Sequence, residues 1–214
     1  LFNRTDHTEE TFFNGVMKVP PGSFFKLKDE DFQIENWYNL SEKVSNKKIL
    51  DQSSYKELFF DSIRLRLRAD VPVGVTLSGG IDSSSIVSSL ALNFKLKEIN
   101  TFSAIFKNNK ESDESEYINE FDSIIKNMHF VSPDAEDFFE NFEEFIYTHN
   151  EPMPDTSPYV QYKVMEKASK FVKVTLDGQG ADEQLAGYHY FFGSYYLELL
   201  KKMKLLKFIS ICSI

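Results

Sequence analysis

Short apolar runs alternate with segments that carry apolar residues at helical spacing over most of the chain beyond residue 50. A short apolar run is typical of a buried strand, and an apolar residue at every third or fourth position is typical of a helix packed on one face. The predicted strands cover residues 71–77, 100–106, 129–131 and 171–176. The predicted helices cover residues 51–69, 82–92, 114–126, 135–148 and 157–170. This alternation predicts an α/β fold, with a parallel sheet and helices on both faces.

The first 50 residues show a different pattern, which predicts a short N-terminal β segment. Residues 11–19 and 23–27 are predicted strands, and Pro-Pro-Gly at 20–22 is a turn between them. The segment ends at the aromatic pair 37–38, and residues 41–50 form a polar, lysine-rich linker. One interpretation is a small β appendage on the main domain.

Two glycine-containing loops directly follow predicted strands, one over residues 78–80 (Ser-Gly-Gly) and one over residues 177–180 (Asp-Gly-Gln-Gly). In a parallel sheet with helices on both faces, ligands bind beyond the carboxyl ends of the strands. Glycine lets the backbone turn tightly and approach a ligand closely. Both loops are therefore candidates for one binding site at this edge of the sheet.

The loop at 78–80 leads into a predicted helix whose first residues suit a phosphate ligand bound with a metal ion. A helix start presents free N–H groups that attract phosphate oxygens, and Ser78, Ser83 and Ser84 add hydroxyl donors. Asp82 would repel a bare phosphate, so its presence favours a divalent cation between the two. A Walker loop and a dinucleotide fingerprint are both excluded, because the lysine of the first and the glycine spacing of the second are missing. The alternative is a capped helix after a glycine turn.

The second loop continues into Asp182 and Glu183, so three acidic residues lie close together in sequence. Carboxylates and phosphate oxygens together suit magnesium. The alternative is a helix N-terminus at which acidic residues favour the helix dipole. Both loops follow strands of the same predicted sheet. This shared position favours a ligand-binding role for the second loop.

Composition narrows the class of protein further. Of the 214 residues, 42% are hydrophobic and 27% are charged, which is ordinary for a globular protein. The net charge of −9 argues against extended nucleic-acid binding, and no apolar run is long enough to predict a membrane span. The single cysteine, Cys212, excludes an internal disulfide and favours a cytoplasmic location. The chain begins at Leu1 and ends in an apolar run, so we expect it to be part of a longer protein.

The sequence Leu-Ser-Gly-Gly-Ile-Asp-Ser-Ser at 77–84 resembles the pyrophosphate loop of the N-type ATP pyrophosphatases, and its form is most similar to that of the asparagine synthetase family. The segment 178–188 resembles that family's Gly-x-Gly-x-Asp-Glu-x-x-x-Gly-Tyr loop. Segments 113–115 and 151–157 resemble acidic segments of the family, so the resemblance covers about residues 10–190. It implies a fold like that of the adenine nucleotide alpha hydrolases.

The resemblance also implies a domain organisation. Members of the family carry a glutaminase domain ahead of the synthetase domain, so residues 1–45 would be the end of a glutaminase-like domain with its linker. Residues 46–214 would be the ATP-pyrophosphatase synthetase domain, truncated at its C-terminus. The family's glutaminase nucleophile is an N-terminal cysteine, and Leu1 cannot serve as one. This chain alone should therefore not hydrolyse glutamine.

The resemblance implies ATP and Mg²⁺ as cofactors, and it implies roles for individual residues. The residues implied to bind ATP are Leu77, Ser78, Gly79, Gly80, Asp82, Ser83, Ser84, Ile105, Asp177 and Gly178. The serines and glycines of the first loop would hold the phosphates that leave as pyrophosphate. Asp82 and Asp182 would hold magnesium, and together with Gln179 they are the implied catalytic residues.

By this resemblance the protein activates a carboxylate, aspartate by default, as an acyl-adenylate, and ammonia from glutamine then displaces AMP to give the amide. Well-known asparagine synthetases carry a glutamate between the two loop glycines, where this chain has Gln179. Because glutamine cannot accept a proton as a carboxylate does, two alternatives stay open. They are amidation or cyclisation of another acid by the same adenylation, and a non-catalytic ATP-binding module. The implied partners are small molecules rather than nucleic acid or membrane, and a homodimer stays open.

Overall fold

The computed structural model describes residues 8–45, 51–106, 113–153 and 155–204. The strands in chain order are β1 Ser23–Lys28, β2 Asp31–Asn36, β3 Val73–Thr76, β4 Asn100–Ala104, β5 Asn127–Val131 and β6 Val174–Leu176. The helices are α1 Leu40–Ser45, α2 Gln52–Arg66, α3 Ile81–Ser88, α4 Ser115–Asn119, α5 Ala135–Glu140, α6 Phe142–His149, α7 Ser157–Ser169, α8 Ala181–Leu185 and α9 Tyr190–Lys201. Within these ranges, no helix combines the length and the apolar character needed to cross a bilayer.

The chain divides into two compact units. The first comprises the residues up to Asp61 together with Asn141–Thr156, and it contains the antiparallel hairpin β1–β2. The second comprises Ser62–Glu140 and the residues from Ser157 onward, and it contains the whole parallel sheet. The domain boundary between residues 45 and 46 stays a prediction.

The sheet of the second unit has four strands in the order β5-β4-β3-β6, and every neighbouring pair is parallel. The predicted α/β fold class is confirmed. Strands β3, β4 and β5 are added in one direction, whereas β6 lies on the other side of β3. In folds of this kind a crevice opens where the strand order reverses, beyond the carboxyl ends of the strands. The loops that follow β3 and β6 therefore flank one crevice.

The sheet packs on α7 through a small apolar cluster made by Phe102, Val164, Ala168 and Val172, all of them buried. Gly74 in the neighbouring strand β3 makes room for this cluster, because a Cβ there would lie 2.7 Å from the ring of Phe102. Elsewhere in the core, Val75, Val87, Leu90 and Ile118 have no exposed surface. Removal of these apolar side chains from water stabilises the sheet and fixes the strand ends that carry the two loops.

The first predicted strand of the N-terminal segment is wrong. Residues 12–15 form a bend and a turn, because the Thr11 hydroxyl donates to the Val16 carbonyl at 2.7 Å and accepts from the Phe13 N–H at 3.1 Å. Met17 makes only an isolated antiparallel bridge with Glu10. The partner of β1 is β2, which the sequence analysis did not predict. A left-handed residue, Asp29 with φ of 56°, lies in the tight turn between the two strands.

Three helix boundaries also differ from the prediction. The helix predicted over 114–126 ends at Asn119 and continues as turns, and the one predicted over 135–148 is divided at Asn141 into α5 and α6. Helix α3 ends at Ser88, and a π-helical turn over Ser89–Asn93 follows it. The linker predicted over 41–50 begins as the last part of α1, and residues 46–50 lie outside the described residues. Apolar spacing alone does not show where backbone hydrogen bonds change partner.

A polar network around the buried Tyr159 joins α5 to α7. The Tyr159 side chain is 2% exposed, and its hydroxyl donates to the Asp137 carboxylate at 2.6 Å. Lys163 forms ion pairs with Asp137 at 3.2 Å and with Glu166 at 2.9 Å. Burial alone would lower the pKa of Lys163, but the hydrogen bonds to Glu166 and Asp137 outweigh burial and raise it. Lys163 therefore stays protonated at neutral pH.

We expect Tyr159→Phe to lower the free energy of unfolding by about 1–3 kcal/mol, the scale for loss of a hydrogen bond to a charged group. The change removes one donor from the Asp137 carboxylate and leaves the aromatic ring in place. Urea unfolding followed by circular dichroism measures it. Tyr147 is 83% exposed, so Tyr147→Phe is the matched control and should change stability little. Equal effects of the two substitutions would contradict the role of the network.

Candidate active site

The loop after β3 bends sharply before α3 begins at Ile81. Gly79 has φ of +89°, in the region that glycine occupies without steric cost. Gly80 precedes α3 with an extended backbone and no side-chain cap, and the first bond of the helix runs from the Ser84 N–H to the Gly80 carbonyl at 3.0 Å. The N–H groups in the first turn of α3 therefore have no partner within the helix. Such a helix start suits an anion.

The Ser83 hydroxyl holds this loop in shape from the inside. Its oxygen accepts from the Ser78 N–H at 3.1 Å and lies 3.0 Å from the Ser78 hydroxyl oxygen. Its O–H group donates to the Gly80 carbonyl at 3.3 Å. Ser83 is 5% exposed, whereas Ser78 is exposed. Ser83 thus supports the loop. The Ser78 hydroxyl also accepts from the Gly80 N–H at 3.3 Å, and Ser78 is the more exposed of the two serines.

The loop also packs against the segment that leads into α4. A Cβ on Gly79 would lie 3.0 Å from the Glu114 Cβ and 3.1 Å from the Glu114 carbonyl oxygen. Position 79 therefore admits no side chain, both because of its positive φ and because of this contact. Asp113 fixes the same segment, since its carboxylate accepts from the Phe106 N–H at 3.1 Å and from the Ser115 hydroxyl at 2.7 Å. These bonds, to Ser115 first and then to Phe106, hold the pKa of Asp113 below its usual value.

The loop after β6 is organised around the Asp177 carboxylate. One oxygen accepts from the Thr76 hydroxyl at 2.8 Å and from the Gln161 side-chain amide at 3.4 Å. The other oxygen accepts from the Gln179 N–H at 2.8 Å. Gly180 follows with φ of +94° and precedes α8. Asp177 thus connects the end of β3, helix α7 and its own loop.

The two loops are in direct contact. A Cβ on Gly178 would lie 3.0 Å from the Ser83 nitrogen and 3.1 Å from the Asp82 Cβ. The second loop therefore packs on the first turn of α3, where the free N–H groups are. This contact encloses the helix start on one side and joins the ends of two neighbouring strands into one site.

A cleft of about 310 Å³ opens between the loops. The predicted site residues that line it are Leu77, Ser78, Asp82, Ser83, Asp177, Gly178, Gln179 and Asp182. Gly79, Gly80 and Ser84 lie in the first loop and in α3 but do not line the cleft. Ile105 lies at the end of β4, where its N–H donates to the Val131 carbonyl at 2.9 Å, and its neighbours Ala104 and Phe106 line the cleft instead.

Several residues that line the cleft were not predicted from the sequence. They are Thr76, Phe102, Ala104, Phe106, Glu114, Val160, Gln161, Val164, Gly180 and Tyr188. For Gly180 and Tyr188 the signal was present, because both lie in the second motif. Val160, Gln161 and Val164 lie on one face of α7, which the helical spacing predicts. What spacing does not reveal is that this face is directed at the cleft.

The cleft is strongly acidic. Asp82, Glu114, Asp177 and Asp182 line it, and no lysine, arginine or histidine of the described residues does. Glu114 is partly buried, and burial raises the pKa of its carboxyl. A polyphosphate would be repelled by these carboxylates unless a divalent cation lay between them. The described residues contain no group of three or more acidic, histidine or cysteine side chains placed to hold a metal. The separate carboxylates of the cleft fit Mg²⁺, because this ion takes one or two carboxylates and completes its shell with phosphate oxygens and water.

Beyond the second loop, contacts of Gly187 and Tyr188 with Asp182 and Glu183 fix the end of the segment 178–188. The Tyr188 hydroxyl donates to the Glu183 carboxylate at 3.0 Å, and this bond is the main cause that raises the pKa of Tyr188. The Gly187 N–H donates to the Asp182 carbonyl at 2.9 Å. A side chain at position 187 would overlap the Asp182 carboxylate. Gly187 therefore packs on Asp182, which lines the cleft, and Tyr188 binds the neighbouring Glu183.

The sequence model of the family described as Asparagine synthase matches residues 54–207, more than half of the chain. The chain belongs to the asparagine synthase family. The match includes both loops of the cleft, so the family assignment and the site rest on the same part of the chain. The resemblance seen in the two motifs is confirmed.

Individual members of the asparagine synthase family agree with this assignment. The chain is 36% identical over 158 residues to a Methanocaldococcus jannaschii protein provisionally named asparagine synthetase 2 (glutamine-hydrolysing), a match that covers 73% of this chain and 30% of that protein. It is 33% identical over 178 residues to the Bacillus subtilis asparagine synthetase 1 (glutamine-hydrolysing), covering 81% of this chain and 28% of that protein. It is 28% identical over 202 residues to the Penicillium rubens amidase chyE, covering 85% of this chain and 30% of that protein. These matches thus cover less than a third of the length of each relative.

Proposed function

We propose that this chain carries the ATP site of an AMP-forming ligase that converts a carboxylic acid into an amide, with aspartate as the default acid. The observation that supports this proposal most directly is the packing of Gly178 on Asp82 and Ser83. It brings two motifs about a hundred residues apart in sequence into one cleft. Each motif alone has a purely structural alternative, but their contact at the reversal of strand order favours a ligand site.

The residues of the first loop would bind the phosphates of ATP. The free N–H groups at the start of α3 and the Ser78 hydroxyl are donors that suit phosphate oxygens. Gly79 and Gly80 would let the backbone approach closely, and Ser83 would keep the loop in this form through its internal bonds. Nucleotide base and sugar would lie along Leu77, Gly178 and the end of β4 near Ile105.

Asp82 and Asp182 would hold magnesium, which supplies positive charge to the phosphates of ATP and to the pyrophosphate that leaves. The donor set of the cleft supports this role, because it contains carboxylates and hydroxyls but no cationic side chain among the described residues. The chain's own part is to hold the phosphates at the helix start and to keep both carboxylates directed at the cleft. Electrostatic stabilisation of this kind acts where charge develops during the reaction.

In the proposed reaction a carboxylate oxygen of the acid attacks the α-phosphorus of ATP, and pyrophosphate leaves. Ammonia then attacks the carbonyl carbon, and AMP leaves with the electron pair of the broken bond. The ammonia would come from glutamine, hydrolysed by another part of the longer protein, since relatives of this chain are named as glutamine-hydrolysing. Residues 1–45 would then be the end of that glutaminase-like domain. Cysteine usage favours a cytoplasmic enzyme.

A second candidate keeps the adenylation and changes the acid. Gln179 lines the cleft and is exposed there. By the resemblance, well-known asparagine synthetases carry glutamate at this position. Only the backbone N–H of Gln179 binds Asp177, so a different side chain at position 179 would leave this bond of the loop in place. An amidase-named relative at 28% identity also supports variation in the acid.

The exchange of radiolabelled pyrophosphate into ATP tests the proposal, with the full-length protein, MgCl₂ and a panel of carboxylic acids. We expect exchange that depends on both the acid and Mg²⁺, together with release of AMP. Formation of ADP instead would contradict the proposal. Exchange with L-aspartate alone would exclude the second candidate, and binding of magnesium-ATP without exchange for any acid would favour a non-catalytic module.

A further inference from the structure

We propose that the Asp177 carboxylate is a positioning group that ties the second loop to the end of β3 through Thr76, and thereby sets how Gly178 and Gln179 face the cleft. This inference rests on the proposed function, because it assigns a task to one side chain within that site. It differs from the role that the sequence implied for Asp177, which was contact with the nucleotide.

Both oxygens of the Asp177 carboxylate are occupied by donors of the protein itself. The Thr76 hydroxyl and the Gln161 amide bind one oxygen, at 2.8 and 3.4 Å, and the Gln179 N–H binds the other at 2.8 Å. All three donors are neutral. A carboxylate that accepts on both oxygens has little capacity left for a ligand, and it would repel the phosphates of ATP in any case.

The chemistry of these bonds explains why an acid stands at this position. An asparagine has one oxygen, which accepts, and one NH₂ group, which donates. Its NH₂ group would therefore face a hydrogen-bond donor, either the Thr76 hydroxyl or the Gln179 N–H. A carboxylate is the side chain of this length that can accept from Thr76 on one side and from the backbone of Gln179 on the other. Of the four carboxylates in the cleft, that of Asp177 thus positions the second loop.

The position of Asp177 makes this geometry important for the site. Gly178 lies between Asp177 and Gln179, and it is the residue that packs on the start of α3. Any rotation of the loop about its attachment to Thr76 would therefore move the contact with Asp82 and Ser83. Displacement of reacting groups by a fraction of an ångström can cost much of the rate.

Thr76→Val tests the proposal in the full-length protein, because valine keeps the shape of threonine and has a methyl group in place of the hydroxyl. We expect a fall of about tenfold in kcat/KM for ATP in pyrophosphate exchange, the scale for a hydrogen bond to a charged group. Hydrogen–deuterium exchange should also be faster in the peptide that contains Gln179. Thr76→Ser, which restores the hydroxyl, should restore both values, and Asp177→Asn should resemble Thr76→Val in both.

Two outcomes would overturn the proposal. If Asp177→Asn lowered kcat/KM while Thr76→Val left it unchanged, the carboxylate would act directly on the ligand. If neither substitution changed hydrogen–deuterium exchange in the loop, Asp177 would not position it. The absence of pyrophosphate exchange in every protein, the unsubstituted one included, would instead count against the proposed function, and the deuterium measurement would still decide the role of Asp177.

Discussion

Replacement of Asp82 by asparagine is expected to reduce magnesium-dependent AMP formation by a factor on the order of 10²–10³, the scale on which one preorganised electrostatic group contributes to catalysis. Asp82 lies in the first turn of α3, and its side chain lines the cleft beside the free N–H groups of that turn. Asparagine has nearly the same shape, so the substitution changes charge and leaves packing almost unaltered. The expected loss is therefore electrostatic in origin.

The reason lies in the balance of charge within the cleft. Four carboxylates line it without a cationic side chain from the described residues, so a polyphosphate needs added positive charge in order to bind. If Asp82 holds magnesium as proposed, removal of its carboxylate would weaken magnesium binding more than it would relieve repulsion of the phosphates, because a metal ligand acts at contact distance. We expect the Mg²⁺ concentration for half-maximal rate to rise as well.

Steady-state AMP formation at several Mg²⁺ concentrations measures both effects in the full-length protein. The matched control is Asp122→Asn, since Asp122 is an exposed aspartate that does not line the cleft. It should retain activity and the same Mg²⁺ dependence. A variant at position 82 with unchanged rate and unchanged Mg²⁺ dependence would show that this carboxylate does not hold the metal.

Many residues of the cleft could be predicted from the sequence because the motifs that mark them are local. The order of strand, glycines, acid and serines from Leu77 to Ser84 lies within one strand–turn–helix unit, whose geometry follows from nearest neighbours. The alternation of strands and helices then predicts that the loop after Leu176 emerges at the same edge of the sheet. Eight residues expected in the site line the cleft on these grounds.

The residues that were missed owe their place to contacts between distant parts of the chain. Thr76 and Asp177 are 101 positions apart, and a threonine at the end of a strand has no local signal that names its partner. In the sequence, Gln161 is a polar residue on a predicted helix with nothing to indicate its partner. In the fold, its side-chain amide donates to the Asp177 carboxylate of the second loop. Strand β2 was missed for a related reason, because its pairing depends on the tight turn at Asp29 rather than on apolar content.

The second large effect is expected for Gly178→Ala, which should lower the rate of adenylation by about 10- to 100-fold through misplacement of reacting groups. The added methyl group would lie 3.0 Å from the Ser83 nitrogen and 3.1 Å from the Asp82 Cβ, closer than these atoms ordinarily approach. The backbone nitrogen belongs to the first turn of α3 and cannot turn away, so one loop must move by a few tenths of an ångström. Gly178 has no positive φ, and the effect is therefore one of contact rather than of backbone strain.

Gly193→Ala is the matched control, because it adds the same methyl group to helix α9, where no atom outside the neighbouring residues and the backbone of the helix itself lies within 4 Å. It should leave the rate unchanged and should favour the helix slightly, since alanine has the higher helix propensity. Pyrophosphate exchange and the thermal midpoint, measured for both variants, separate loss of site geometry from loss of folding. If Gly178→Ala melted normally and also exchanged pyrophosphate at the unchanged rate, close packing of the two loops would not be a requirement of the reaction, and the main support for a shared ATP site would be lost.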